Sequence, residues 1–148
     1  NIAENRFDTN YLPTLGVDIA TKRIRIDNNQ IKLIIVDTAY QELFGDNLRK
    51  SYYEGASACI IFFEKHNDDS FATVPDFIED IREVSMDIPI VLVGIITEAP
   101  EKVPYAYARK YALYWGLDLY TIKSSDNLFF EDILINAVKL YFQKISSS

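Results

Sequence analysis

The stretch from Ile19 to Val36, which reads IATKRIRIDNNQIKLIIV, contains two strand-like runs on either side of Asp27-Asn28-Asn29. Because Asn and Asp tolerate the backbone conformations of tight turns, these runs predict an antiparallel hairpin. Further along, Ala56–Phe63 is a continuous apolar run, as expected for a strand buried on both faces. Pro89–Gly94 is a second buried run, and Leu117–Ile122 is the last predicted strand.

Helix-like segments separate these strands, and the alternation indicates one α/β domain with a largely parallel sheet. A polar loop at Gln41–Lys50 leads into a short helix that reaches Tyr53. Ser70 is placed to cap a helix whose apolar positions recur every three or four residues. These apolar positions are Phe71, Val74, Phe77, Ile78, Ile81 and Val84.

Two more helices are predicted in the second half of the chain. Val103–Trp115 is closed by Gly116. Its four tyrosines either pack on the sheet or form a partner face, and we predict core packing for most of them. They are Tyr105, Tyr107, Tyr111 and Tyr114. The final helix starts at Asp126 or Asn127, and its predicted inner face consists of Phe130, Leu134, Ala137, Val138, Tyr141 and Ile145. The domain is therefore predicted to span residues 1–145, with a disordered tail at Ser146–Ser148.

The composition is that of an acidic globular chain. Its 148 residues suit one domain, and the net charge of −7 makes nucleic acid a poor partner. No apolar run approaches the roughly 20 residues that span a membrane. Cys59 lies in an apolar strand, so we expect a buried, inert thiol and a reducing, cytoplasmic location, either peripheral to membranes or within a complex. His66 is the only histidine, which gives little support to a His-based metal site or catalytic triad.

Five segments, taken in order, resemble the Rab branch of the Ras superfamily of small GTPases. Tyr11–Asp18 is similar to the first switch, and Ile31–Ala39 is similar to the strand before the second switch. Tyr52–Ala56 resembles the stretch after the second switch, Pro89–Gly94 the strand before the guanine-reading motif, and Thr121–Lys123 the Ser-Ala-Lys motif. Each motif alone is weak evidence, whereas their order and near-family spacing are strong. The resemblance implies a doubly wound, mostly parallel six-stranded sheet with helices on both faces.

The resemblance also implies that the family's first strand and phosphate-binding loop are absent from this sequence. In the family that strand lies in the middle of the sheet and leads into a Gly-rich loop whose N–H groups hold phosphates. Here the chain opens at Asn1–Phe7, which looks like the end of the helix after that loop. An empty slot would leave buried backbone groups unpaired at about 1–3 kcal/mol each. We therefore expect an upstream segment of a longer polypeptide, or a strand from another chain, to fill it.

Three positions match the family's magnesium and catalytic residues. Thr14 stands at the magnesium-binding threonine of the first switch, although it is equally a surface turn residue kept for shape. Asp37 is placed to hold magnesium through water, and Gln41 resembles the glutamine that orients the attacking water. Tyr40, however, replaces the glycine whose N–H turns towards the γ-phosphate, and its side chain restricts the backbone there.

The guanine-reading motif of the family, Asn-Lys-x-Asp, is altered in this chain. The matching residues are Ile95, Ile96, Thr97 and Glu98. Aliphatic side chains cannot replace polar contacts to a base, and losing such contacts costs several kcal/mol. We expect Ile95 and Ile96 to extend a packed loop instead. Thr121, Ile122 and Lys123 keep only the lysine of the last motif, and a lone lysine at a strand end is usually solvated.

The leading hypothesis is a pseudo-GTPase, a protein-interaction module in trafficking, signalling or assembly with little GTP turnover and no cofactor. The resemblance implies a partner surface at Leu15, Gly16, Val17, Asp18, Ile19, Val36 and Tyr52, and sheet-face packing is the alternative for the apolar members. Two other functions stay open. One is an active GTPase that binds magnesium and GTP or GDP through an upstream loop; the other is a scaffold subunit with a donated strand. The last residues contain no cysteine, so we expect no lipid anchor at this carboxyl terminus.

Overall fold

The computed structural model describes residues 19–38, 46–65, 68–96, 98–123 and 127–146. Within these ranges the strands are β1 (Ile19–Ile26), β2 (Asn29–Asp37), β3 (Ala58–Glu64), β4 (Ile90–Ile96) and β5 (Asp118–Lys123). The helices are α1 (Asp46–Tyr53), α2 (Asp68–Ala72), α3 (Val74–Val84), α4 (Tyr105–Trp115) and α5 (Asn127–Ser146). The α/β architecture predicted from the sequence is confirmed. In the described ranges, no helix is both long and apolar enough to cross a bilayer.

The predicted hairpin is present and has a two-residue turn. Asp27 and Asn28 have positive φ values of 49° and 68°, and Ile26 pairs with Asn29 at the base of the turn. Positive φ at both central residues matches the right-handed twist of the flanking strands, and Asp and Asn tolerate it better than most residues. The antiparallel pairing of β1 with β2 then runs from Ile26 back to Ile19, which lies opposite Val36.

The sheet has five strands in the order β1-β2-β3-β4-β5, and β2 to β5 are parallel. The slot that we expected between β2 and β3 is closed, because Leu33–Asp37 pairs directly with Ala58–Phe62. The expectation that an upstream segment or another chain fills this slot stays a prediction, because the structure is that of this chain alone. Within this chain the two strands satisfy each other's backbone groups, which removes the unpaired N–H and C=O groups that an empty slot would bury.

Both faces of the sheet are covered by helices, as predicted. On one face, α1 to α4 contribute to a cluster that includes Tyr53, Phe77 and Ala112. On the other, α5 packs Leu134 and Val138 against the inner side chains of β2 to β5. Among the described helices, α5 alone contributes buried residues to this second cluster. The sheet therefore separates two apolar cores.

Cys59 is fully buried in the first cluster, as predicted. Burial disfavours the thiolate and raises the pKa of Cys59 to about 12. Its thiol is a neutral core group at physiological pH.

Ser70 does not cap a long helix, which corrects the prediction. The segment breaks at Thr73 into α2 and α3, and Pro75 lies in the first turn of α3, where its missing N–H is tolerated. The hydroxyl oxygen of Ser70 instead accepts the N–H of Glu64 at 3.1 Å, and lies 2.5 Å from the hydroxyl oxygen of Thr38. Ser70 thus joins α2 to the ends of two strands.

Four helix boundaries or faces also differ from the predictions, and one of them is the start of α4 at Tyr105 in place of Val103. α1 begins at Asp46, inside the predicted polar loop. α5 extends to Ser146, whose hydroxyl donates to the carbonyl of Phe142 at 2.8 Å, so the helix reaches one residue into the predicted tail. Ile145, expected on the inner face of this helix, is 39% exposed. The predicted end of α4 is confirmed, because Gly116 adopts the left-handed conformation with φ of 72°.

Candidate functional site

The candidate site is the carboxyl edge of the sheet, which we define as the residues at the ends of β2, β3, β4 and β5. Ligands of open α/β sheets bind outside the carboxyl ends of the strands. Parallel pairing brings the predicted residues of this edge together: Ile95 lies beside Ile122, and Ile96 beside Lys123. Asp37 lies beside Phe62 at the neighbouring strand end.

At the end of β2, the chain is bound firmly to β3. The backbone N–H of Thr38 donates to the carbonyl of Phe62 at 3.1 Å, and the Thr38 hydroxyl donates to the same carbonyl at 2.8 Å. Because that proton is used, Ser70 donates to the Thr38 oxygen and accepts the N–H of Glu64. Asp37, the predicted magnesium residue, is only 1% exposed. These hydrogen bonds hold the carboxyl ends of β2 and β3 together.

The amino end of the same pair is closed by a second set of hydrogen bonds. The N–H of Ser57 donates to the carbonyl of Lys32 at 2.8 Å, and the N–H of Lys32 donates to the Ser57 hydroxyl at 3.0 Å. Burial and the nearby charge of Arg23 lower the pKa of the Lys32 ammonium. The β2–β3 pair is thus bonded along its full length and at both ends.

Lys65, just after β3, organises the loop that follows β4. Its carbonyl accepts the N–H groups of Lys102 and Val103 at 2.8 and 2.9 Å, and its own N–H donates to the carbonyl of Ile95. Its buried ammonium lies 3.2 Å from the carboxylate of Glu101 and 5.7 Å from the ring centre of Tyr105. These contacts compensate the buried charge.

The guanine-reading positions are occupied by strand residues. β4 continues to Ile96, so Ile95 and Ile96 extend the strand and not a loop as predicted. Ile95 is 2% exposed and belongs to the core cluster under α5. Ile96 is half-buried, Glu98 is exposed, and Thr97 lies outside the described residues. A buried aliphatic side chain offers no donor or acceptor to a base.

The predicted nucleotide residues of β5 are similarly structural. Ile122 is buried in the same core as Ile95, and Thr121 is half-buried. Lys123 is exposed at the strand end, where the sequence predicted a solvated charge. Ile95 and Ile122 therefore stabilise the sheet, and Lys123 supplies the positive charge among the predicted nucleotide residues of β5.

The remaining predicted site residues divide into two sets. Thr14, Tyr40 and Gln41, together with the partner residues Leu15, Gly16, Val17 and Asp18, lie outside the described residues. Ile19 and Val36 are buried in the first core cluster, which is the sheet-face packing given as the alternative, while Tyr52 is 37% exposed. In the described ranges, no three His, Cys, Asp or Glu residues come together as a metal site.

The structure also places residues that the sequence did not single out. Most of the α4 tyrosines were predicted in the core, and this is wrong: Tyr105, Tyr107 and Tyr114 are 43%, 48% and 83% exposed. The inner face of α4 is formed by Ala108 and Ala112, whose small side chains leave the tyrosines on the flanks. The pair of alanines four residues apart was the signal that could have shown this.

At the first guanine-reading position, the described structure has the buried aliphatic side chain of Ile95 in place of an amide. The rest of the carboxyl edge combines polar and charged groups, among them Asp37, Lys65 and Lys123.

Comparison with known proteins completes the description. A sequence model of the Ras family matches residues 1–143. The Ras-related protein RAB1BV of Beta vulgaris is 27% identical over 150 residues, which cover 99% of this chain and 69% of that protein. RABE1d of Arabidopsis thaliana is 25% identical over the same shares of both chains. Rab-1C of Dictyostelium discoideum is 36% identical over 113 residues, which cover 74% of this chain and 56% of the relative.

Proposed function

Because the chain belongs to the Ras family and its relatives place it on the Rab branch, we propose that it is a pseudo-GTPase: a Rab-like domain that acts through protein contacts and does not bind guanine nucleotide. Members of this family normally bind GTP or GDP with magnesium. The proposal is therefore a departure from the family's usual chemistry, and it rests on particular side chains at the carboxyl edge.

One observation carries the proposal: Ile95 is 2% exposed and packs in the core at the first position of the guanine-reading motif. When a site that recognises a ligand through buried hydrogen bonds loses a polar residue, the ligand group that it paired with is left buried without a partner, at a cost of about 1–3 kcal/mol. Loss of the polar groups at Ile95 and Ile96 removes two of the family's contacts near the base. This argument does not depend on residues upstream of Asn1.

The two alternatives require a different sheet. In the family, the strand that leads into the phosphate-binding loop lies between β2 and β3. In an active GTPase or a scaffold with a donated strand, that strand would replace the backbone ladder from Leu33 to Asp37 and the Thr38 bonds to Phe62 with its own bonds to both neighbours.

The test is titration of the full-length protein with a fluorescent GDP or GTP analogue and magnesium. We expect no saturable binding at micromolar concentrations. Submicromolar binding would overturn the proposal and favour the active GTPase.

A matched variant separates the base contacts from the phosphate contacts. Restoring the reader as Ile95→Asn, Ile96→Lys and Glu98→Asp supplies the base contacts alone. We expect this variant, if folded by circular dichroism, to remain unable to bind GTP, because Tyr40 still replaces the glycine whose N–H turns towards the γ-phosphate. Recovered binding would show that the phosphate-binding side is intact in the full protein.

A further inference from the structure

An aromatic stripe runs along one flank of α4 and continues onto α2. It consists of Phe71, Tyr107, Tyr111 and Trp115. Ring centres of Tyr107 and Tyr111 are 5.0 Å apart, those of Tyr111 and Trp115 are 5.4 Å apart, and Phe71 lies 5.7 and 5.9 Å from Tyr107 and Tyr111. A hydrogen bond between the side chains of Tyr107 and Tyr111 raises the pKa of Tyr107. The stripe is a preformed array whose rings support one another.

One end of the stripe packs against the core, and the other end is exposed to solvent. Tyr111 and Trp115 are half-buried against the core, whereas Tyr107 is 48% exposed. Beside Tyr107, a groove of about 430 Å³ lies between α2 and α4, with walls formed by Phe71, Val103 and Tyr107. Its volume falls in the range of about 300–1,000 Å³ that holds ligands. One large apolar side chain has room to enter it.

The α4 side of the stripe carries basic residues, although the chain as a whole is acidic. The chain has 22 acidic and 15 basic residues, yet residues 102–117 contain no Asp or Glu and include Lys102, Arg109 and Lys110. Lys102 lines the groove, and Lys110 lies one turn from Tyr107 on the helix. Asp69 on α2 is the acidic residue that lines the groove, opposite α4.

We propose that the stripe and its groove bind an acidic segment of a protein partner that inserts one aromatic or branched aliphatic side chain next to Tyr107. Aromatic residues and Arg are enriched in interface cores, and tyrosine offers both an apolar ring and a hydroxyl donor to a carboxylate. A second copy of this chain is a poorer occupant, because in a symmetric dimer the basic residues Lys102, Arg109 and Lys110 of the two copies would face each other. The inference rests on the interaction-module part of the proposed function, and it does not require loss of nucleotide binding.

The chain carries its own reporter for this test. Trp115 is the only tryptophan and lies at the end of the stripe away from the groove, so its fluorescence reports a bound segment that extends from the groove along the stripe. The probes are 12-residue peptides with Glu and Asp around one central Phe, the same peptide with Ala for Phe, and the same peptide with Lys for every acidic residue. We expect a saturable change in Trp115 emission with the first peptide only. We also expect the affinity for this peptide to fall as the salt concentration is raised.

Charge-reversal variants locate the binding. The double variant Lys102→Glu, Lys110→Glu is expected to bind the acidic peptide with about tenfold lower affinity, since each exposed ion pair contributes up to about a factor of five to the affinity. Lys139→Glu, an exposed residue on α5, is the matched control and should leave binding unchanged. In the Tyr107→Ser variant, the peptide with a central Phe should bind no more tightly than the peptide with Ala. An unchanged melting temperature shows that this variant keeps its fold.

Three results would overturn the proposal. The first is no change in Trp115 emission with the acidic peptide, and the second is that Lys139→Glu weakens peptide binding as much as the Lys102→Glu, Lys110→Glu variant does. The third is a concentration-dependent dimer that Tyr107→Ser abolishes, which would assign the stripe to self-association. Repeating the titration with GDP and magnesium separates the two proposals. Nucleotide binding with unchanged peptide binding would end the pseudo-GTPase proposal alone.

Discussion

At the end of β3, the aliphatic stem of Lys65 lies against the backbone of Gly94, in the space where any other residue would place a Cβ. A Cβ built on Gly94 would be 2.8 Å from the ring of Phe63 and 3.1 Å from Cγ of Lys65. Beyond this crossing, the Lys65 ammonium reaches Glu101. The glycine therefore permits the close approach that lets a buried cation hold the loop after β4.

We predict that Gly94→Ala lowers the free energy of unfolding by about 1–3 kcal/mol, because the added methyl group overpacks the space next to Phe63. Urea denaturation at neutral pH measures the change. Adding Phe63→Leu to Gly94→Ala should recover part of the loss, since the two contacts are coupled. A purely additive double variant would contradict the crowding argument.

The sequence could predict some of these residues and not others. Burial of Cys59 and Ile95 followed from their apolar neighbours, and both are in the core. The role of Lys65 could not be predicted, because a lysine in sequence shows only its charge. Its burial depends on Glu101 and on the ring of Tyr105, which the fold brings to it.

At the scale of elements, the hydroxyl of Ser70 connects α2 with two strand ends. It accepts the N–H of Glu64 and donates to Thr38, whose own hydroxyl donates to Phe62. Since these groups are far apart in the chain, the network fixes the position of a short helix that has little stability of its own.

We predict that Ser70→Ala destabilises the protein by about 1–3 kcal/mol, because the Glu64 N–H loses this acceptor in a partly buried place. Hydrogen exchange should show faster exchange at Glu64 than in the parent protein. Ser85→Ala is the control, since the Ser85 hydroxyl accepts only an exposed N–H, that of Asp87. Equal effects of the two substitutions would show that the Ser70 network has no special role.

The strands were easier to predict than the helices. The hairpin follows from Asp27 and Asn28, whose turn chemistry is local, and the buried strands follow from continuous apolar runs. The break at Thr73 was missed because the apolar spacing of α3 continues through Phe71, although Pro75 was a signal for a new helix start. The exposed tyrosines of α4 were missed because aromatic residues occupy flanks as readily as cores when alanines form the inner face.

At the scale of the whole molecule, the described residues form a sheet of five strands in which β2 pairs directly with β3. Sequence could not predict this pairing, because both strands are apolar and suited to a central place with any neighbour. The choice of neighbour depends on which strands are present, and not on side-chain pattern.

We predict a nuclear Overhauser contact between methyl groups of Ile35 and Ile60, which are register partners on the α5 side of the sheet. An intervening strand would separate their Cα atoms by about 10 Å, twice the spacing of neighbouring strands, and weaken the contact strongly. The contact between Ile60 and Val91 is the control, because β3 and β4 are neighbours in either sheet. Its presence without the Ile35 contact would show that the sheet opens in solution.

The position of α5 in the chain has a consequence for biosynthesis. It follows all five described strands, yet among the described helices it alone supplies buried residues to the second apolar core. As the ribosome releases the polypeptide, we expect that side of the nascent sheet to stay exposed until α5 emerges. We expect the nascent chain to be prone to aggregation during this interval, until α5 docks.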